Sequence, residues 1–281
     1  MRADDSKKKS RPARRTPSQG FYVYCVGERD ALSALIGGEL PDAIEADSGL
    51  EMVSAGGLAG IVSSVPLADY GEEALPARLK DPGWTALRVM RHEKVIEHFA
   101  SSASVIPLRF GTIYLRRGRI EQMLGEKRDE LRGIIGRLRG RDEWGVNVYL
   151  ARAKLMRAVS SLSPRLQEIS EQAASAPPGR AYLMRKKIEA MRADEARAEI
   201  RRVTAEVEAE LSRISDGAVR LRVMKDEADE CGEVAARLTF LVERTRFKEF
   251  RAAAEALADR HEAAGFKLEL TGPWPAYNFA G

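Results

Sequence analysis

Phe21-Tyr22-Val23-Tyr24-Cys25-Val26 is short, aromatic, β-branched and uncharged, which reads as a buried strand. The segments after it decide the fold. Ala31, Leu32, Leu35 and Ile36 recur at helical spacing until Gly37-Gly38, so a helix is expected there. Two apolar segments, Leu50 to Ala55 and Leu58 to Val65, flank Gly56-Gly57, a dipeptide that supplies the positive φ angles of a tight hairpin turn. After a polar loop, Trp84 to Ala100 predicts a helix, with Val89, His92, Ile96, Phe99 and Ala103 as an apolar stripe. Val105 to Gly111 is extended, with Pro107 suited to an edge or a strand end. The order β, α, β, β, α, β is the split arrangement of ferredoxin-like domains, which right-handed crossovers close into a four-stranded sheet with both helices on one face.

Working outward, a charged helix from Arg119 to Leu138 leads to a strand at Trp144 to Leu150 and a helix with Leu155, Val159 and Leu162 that stops at Pro164. A long helix, Tyr182 to Ile214, carries Ile188, Met191, Ala196, Ile200, Val203, Val207, Leu211 and Ile214 as a narrow seam among Arg, Lys and Glu. So narrow a seam predicts burial against one partner helix, coiled-coil fashion. Strands return at Ala218 to Val223 and Ala236 to Val242, around the acidic loop Asp226 to Glu230. A helix over Arg244 to Ala264 and a strand over Phe266 to Leu270 close a second β, α, β, β, α, β order. The expected class is α+β: two ferredoxin-like βαββαβ units with a long helical, coiled-coil insertion in the C-terminal part. The expected boundaries are a disordered basic tail at 1–20, an N-terminal domain with trailing helix at 21–140, and a C-terminal α+β domain at 141–281. The last holds a helical hairpin at about 152–215 and a Pro/aromatic tail at 271–281.

The apolar fraction of 44% and charged fraction of 31% suit a soluble globular chain, and 281 residues suggest two domains. No apolar run reaches the roughly 18 residues that crossing a bilayer requires. Residues 1 to 20 carry seven Lys or Arg against two Asp, so the formal charge of +4 belongs to this arm and the rest of the chain sums to −1. A basic field over the whole protein, which would favour nucleic acid as the main partner, is thereby excluded. Cys25 and Cys231 are too few and too far apart for a disulfide framework or a zinc site. A reducing cytoplasm follows, with neither thiol catalytic.

His92-Glu93 and Glu97-His98 invite a metal reading, but His92 and His98 are six residues apart, about 240° around a helix, whereas helical His pairs that share a metal sit at i and i+4. His92 is expected as a hydrogen-bonded core residue. Arg109-Phe110-Gly111-Thr112-Ile113-Tyr114 partly matches an RNA-recognition strand, yet Phe110 shares a face with Ile106 and Leu108, which implies burial. No phosphate loop, nucleophile elbow or dinucleotide glycine pattern occurs. The expectation is therefore no enzyme, no cofactor and no metal. The closing Thr271-Gly272-Pro273-Trp274-Pro275-Ala276-Tyr277-Asn278-Phe279 is too rich in Pro and aromatics for a helix and too apolar for a free tail. Its aromatics either pack back on the C-terminal domain or form a docking surface. Arg109, Phe110, Trp274, Tyr277 and Phe279 are the candidate protein-binding residues.

Five blocks in order resemble the gas vesicle protein L/F family: Tyr22-Val23-Tyr24; His92-Glu93 through Val105-Ile106-Pro107-Leu108-Arg109-Phe110-Gly111-Thr112; Glu143-Trp144-Gly145-Val146; Gly179-Arg180-Ala181-Tyr182-Leu183; and Leu270 to Phe279. The resemblance runs from about residue 21 to the C-terminus. It implies a soluble cytoplasmic accessory protein of gas vesicle formation that binds the small hydrophobic shell protein and other accessory proteins. It also implies a ferredoxin-like N-terminal part and a C-terminal part with coiled-coil helices. Asn147 stands where the family more often has Lys, and residues 1–20 lie outside the family pattern. Further expectations are self-association through the helical insertion, no small-molecule substrate and no membrane insertion. The alternative function is a ferredoxin-like module that binds RNA or another nucleic acid through the basic arm.

Overall fold

The computed structural model describes residues 18–224, 227–229 and 232–281. Most of the basic arm (1–17), Cys231, and Asp226 and Glu230 at the ends of the acidic loop lie outside the described residues. The chain is a mixed helix-and-sheet protein of two antiparallel sheets. It divides into two compact units: the described residues up to His98 with Leu108–Arg128, and Phe99–Pro107 with Asp129–Gly281.

In the first unit the opening apolar run lies in β1 (Gln19–Glu28), followed by α1 (Arg29–Ile36) and the hairpin β2 (Glu51–Ala55) and β3 (Leu58–Pro66). Gly56 and Gly57, at φ of 60° and 83°, make the two-residue turn, because the mirror-image turns that suit strand twist need positive φ at both central positions. Two four-residue helices, α2 (Leu67–Tyr70) and α3 (Leu75–Arg78), precede α4 (Pro82–Ala100); then come β4 (Val105–Pro107), which the division assigns to the second unit, and β5 (Ile113–Tyr114) and α5 (Arg117–Glu126). The sheet order is β2-β3-β1-β4, with β5 also on β1. β1 is central, and Tyr22 through Gly27 are buried on both faces. Tyr24 is the extra residue of a bulge: Val23 faces Val62 while Cys25 already faces Ile61.

Several expectations need correction here. Val89 is exposed, and Ala103 lies beyond the end of α4. The buried stripe is His92, Val95, Ile96 and Phe99. Neighbouring 3-4 registers differ by a single residue, so the wrong member is easily chosen from sequence. The single charged helix over 119–138 is instead α5 and α6 (Arg128–Leu138), with Lys127 as the break. The segment 105–111 is extended only to Pro107; Gly111, at φ 82°, turns the chain into β5.

The second unit continues with β6 (Arg141–Leu150), α7 (Arg152–Leu162), α8 (Pro164–Ser175), α9 (Pro178–Ser212), β7 (Gly217–Leu221), β8 (Ala228–Asp229) and β9 (Gly232–Glu243). After a 3-10 turn come α10 (Phe247–Glu262) and β10 (Phe266–Trp274). Its sheet runs β10-β6-β9-β7, all antiparallel, with β8 on β9. The pairings Val146–Leu238 and Val148–Ala236 set one apolar face of the sheet against Val203, Val207 and Leu211 of α9 and Phe250 and Leu257 of α10. Each such fully buried side chain contributes about 1.5–3 kcal/mol.

The insertion holds three helices rather than two, because Ser163 caps α8 through its side-chain oxygen, accepting from Leu166 N, while Pro164 begins the helix. The seam of α9 is also used differently from the expectation. Its C-terminal half, including Val203, Val207 and Leu211, joins the broad core with the sheet. Arg260 of α10 binds Glu206 and Glu210 there, at 2.7 and 2.8 Å. Its N-terminal half has helices α7 and α8 beside it: Arg192 donates to Ser160 and Ser163 to Glu195.

Candidate functional site

Two tyrosines two residues apart on β1 organise the interior of the first unit. Tyr22 Oη lies 2.9 Å from His92 Nδ1 and accepts from Gly111 N at 3.1 Å. Tyr24 Oη accepts from Ile44 N and sits 2.8 Å from Ser63 Oγ. Burial pushes both phenols up, Tyr24 to about 12, so neither ionises at neutral pH. Burial pushes His92 the other way, to about 4, against an opposing backbone bond to Leu108, so the imidazole is neutral. This is the core histidine that the apolar stripe predicts. Beside it, Glu45 accepts from Tyr70 Oη at 2.6 Å and from Arg88, whose guanidinium also lies 4.2 Å from the centre of the Trp84 ring.

These bonds hold the loop from Leu108 to Thr112. Leu108 N donates to Tyr24 O, Gly111 N to Tyr22, and Thr112 Oγ1 to Arg109 O at 2.7 Å. The Phe110 ring stands edge-on to His92 and Tyr22, with centroids 5.6 and 6.0 Å away. Phe110 is therefore half-buried, whereas Arg109 is exposed on a fixed backbone. A hydrogen-bonded loop presenting one guanidinium can bind carboxylate or phosphate, while Phe110 is half-covered beside His92 and Tyr22.

The same unit exposes aliphatic side chains that sequence patterning assigned no role. Leu79, Leu87, Val89 and Met90 are 44, 40, 37 and 48% exposed. Leu87 and Met90 sit at i and i+3 on α4, away from the His92 stripe, so their spacing held the signal. Scattered exposed aliphatics are ordinary, but Leu87 and Met90 are neighbours one turn apart on α4.

The candidate residues at the C-terminus belong to the second unit. Glu143 is buried, and its carboxylate accepts from Asn278 N at 3.0 Å and Asn278 Nδ2 at 2.5 Å. Burial raises its pKa, and the Asn278 bonds oppose that rise. Pro275 is buried, and the Phe279 ring packs so closely on Gly217 that a Cβ there would lie 2.9 Å from Cε1. Tyr277 and Phe279 are thus half-covered by their own unit, while Trp274 is 49% exposed and donates to Thr271 Oγ1. The structure does not bring Arg109 and Phe110 together with the C-terminal aromatics as members of one unit.

Cys25 is fully buried and burial raises its thiol pKa, which leaves the thiol protonated and inert. Among the described residues no group of three or more His, Cys, Asp or Glu side chains could hold a metal ion, and no helix is long and apolar enough to cross a membrane.

Residues 20–281 match the family described as gas vesicle synthesis protein GvpL/GvpF. The chain belongs to the GvpL/GvpF family. It is 30% identical over 250 residues to gas vesicle protein L of a Streptomyces species, covering 88% of this chain and 85% of that protein. To gas vesicle protein L2 of Halobacterium salinarum it is 24% identical over 279 residues, covering 95% and 94%. The fold is similar to the crystal structure of the gas vesicle protein GvpF from Anabaena sp., with a TM-score of 0.64, 16% identity, and 94% and 97% of the two chains covered. The GvpF crystal structure from Microcystis aeruginosa gives a TM-score of 0.59, also at 16% identity, with 93% and 99% covered. The GvpL/GvpF match begins at residue 20, so most of the basic arm lies outside it.

Proposed function

We propose that this chain is a cytoplasmic accessory protein of gas vesicle assembly that binds the small hydrophobic shell protein and other accessory proteins, as a nucleating or chaperone-like subunit, and catalyses no reaction. Membership of the GvpL/GvpF family supplies the context. The single observation that carries the binding reading is the exposed aliphatic face of the first unit: Leu79, Leu87, Val89 and Met90. An apolar shell protein presents hydrophobic faces and strand edges before it polymerises, and such surfaces aggregate unless covered. A helix that offers Leu87 and Met90 to solvent can cover them reversibly.

The strand orders β2-β3-β1-β4 and β10-β6-β9-β7 support reading both units as ferredoxin-like. The packing of α8 along α9 supports reading the insertion as a coiled-coil hairpin suited to self-association or accessory-protein contact. Arg109, Phe110, Trp274, Tyr277 and Phe279 remain candidate contacts, with Arg109 and Trp274 the accessible ones.

The test is a pull-down of the full chain against purified shell protein and against generic RNA, at low and moderate salt, repeated with the L87S/M90S double variant. Salt-resistant capture of shell protein, weakened at least about tenfold by the double variant, is expected from the loss of two apolar anchors at about 1.5–3 kcal/mol each. Capture of RNA alone, lost as salt rises, overturns the proposal in favour of nucleic-acid binding through the basic arm.

A further inference from the structure

The first turns of α9 concentrate cations beside exposed apolar side chains. Pro177 provides no side-chain cap, and the first turn holds no acidic residue. Instead Arg180, Arg185, Lys186 and Lys187 follow within eight residues with no Asp or Glu among them. Pro178 suits the first helical position, but Arg180 in the first turn opposes the helix dipole. Between these cations, Tyr182 and Leu183 are 57 and 66% exposed, the latter among the most exposed large apolar side chains of the protein. Lys186 reaches Glu189 at 3.1 Å, but Arg180, Arg185 and Lys187 make no ion pair among the described residues.

The geometry of this surface is regular. Ala181 is buried and Met184 and Ile188 are half-buried, so one side of α9 is already used. Tyr182 and Lys186, and likewise Leu183 and Lys187, are i, i+4 neighbours on the opposite side, which continues through the exposed Ala190 and Ala193. Two small residues leave room for another backbone to approach. In the C-terminal half of the same helix, by contrast, Arg202 is bound to Glu199 and Glu206, and Glu206 and Glu210 to Arg260 of α10.

We propose that the N-terminal face of α9 is a docking site for an acidic amphipathic helix of a partner protein. Its apolar residues would cover Tyr182 and Leu183, and its carboxylates would face Arg180, Arg185, Lys186 and Lys187. Charge complementarity selects an acidic partner. An anionic membrane fits less well, because Glu189 and Asp194 follow within two turns and oppose a uniformly anionic surface, whereas a partner helix can place its carboxylates opposite the cations alone. Leu183 gains nothing from a phosphate backbone, which disfavours nucleic acid. The inference rests on the proposed role as a binding protein in assembly and names the partner chemistry of its helical insertion.

The experiment uses the full chain and a fluorescent 18-residue acidic amphipathic helical peptide of Glu and Leu, with phosphatidylserine vesicles and generic RNA as parallel probes. Y182A/L183A and K186E/K187E are compared with the parent after circular dichroism establishes equal helix content; all four side chains are exposed, so folding is unaffected. Peptide binding that weakens at least tenfold in both variants, with shell-protein capture unchanged, supports the site. Failure of shell-protein capture alone would instead sink the proposed function and leave the site standing. Peptide affinity equal in all three proteins, no peptide binding at all, or variant-sensitive binding only to vesicles or RNA overturns the inference.

Discussion

Acidification should destabilise the first unit through His92, and the size of the effect follows from its surroundings. The imidazole is 1% exposed, bonded to Tyr22, and held at about 4 in the folded chain against 6.5 in an unperturbed histidine. Because the folded value is depressed, the unfolded chain takes up a proton below pH 6.5 that the folded chain refuses. The stability contributed by the neutral ring is whole above 6.5 and is lost progressively until the pH passes about 4. The full loss is about 3 kcal/mol, and lowering the pH from about 7.5 to about 5 removes about 2 kcal/mol of it. The perturbation is His92→Phe, which deletes the titration and leaves Tyr22 Oη bonded to Gly111 N. At about pH 7.5 that variant is less stable by about 1–3 kcal/mol, because the Tyr22 hydroxyl loses its buried acceptor, and the difference shrinks as the pH falls. Urea unfolding of both proteins at the two pH values supplies a double difference in which every other titrating group cancels. The parent should lose about 2 kcal/mol more than the variant on acidification; equal losses would refute the assignment of a buried neutral imidazole.

Two further substitutions probe the fold. Glu45→Ala strands Arg88 and Tyr70, whose bonds to that carboxylate lie in a half-buried site with the Arg88 side chain 15% exposed; a loss of about 2–4 kcal/mol in urea unfolding is expected, and a change below about 0.5 kcal/mol would mean the pair is solvated. Gly265→Ala forces a side chain into φ +95° with its Cβ 3.0 Å from the Ala151 carbonyl, so a loss of about 1–3 kcal/mol and a lower melting temperature are expected, whereas the same change at the exposed Gly179, with nothing within 4 Å, should leave stability within about 0.5 kcal/mol.

Much of this architecture is legible along the chain because its signals are local. The continuous apolar run at 21–26, the largely apolar run at 236–242, the Gly56-Gly57 turn and the Gly265 stop each act over a few residues, so the order of helices and strands follows from composition and spacing. His92 was identifiable as a core residue because its place on the α4 stripe is also local. The GvpL/GvpF family was legible from ordered blocks, although overall identity to gas vesicle proteins L and L2 is only 30% and 24%.

What only tertiary structure decided are the questions of which apolar residue goes inside and what it touches. Val89 and Leu87 are as hydrophobic as Val95, yet the first two face solvent, because burial depends on which side of α4 meets the sheet and not on the side chain alone. The seam of α9 looks uniform in sequence; its C-terminal half enters the core only because the sheet of the second unit and α10 lie against it. Trp274, Tyr277 and Phe279 are three similar aromatics within six residues, and they separate into one exposed and two half-covered rings because Asn278 is drawn onto the buried Glu143 carboxylate 135 residues away. Local pattern specifies the elements; contacts between residues distant in sequence specify which of their surfaces are left for a partner.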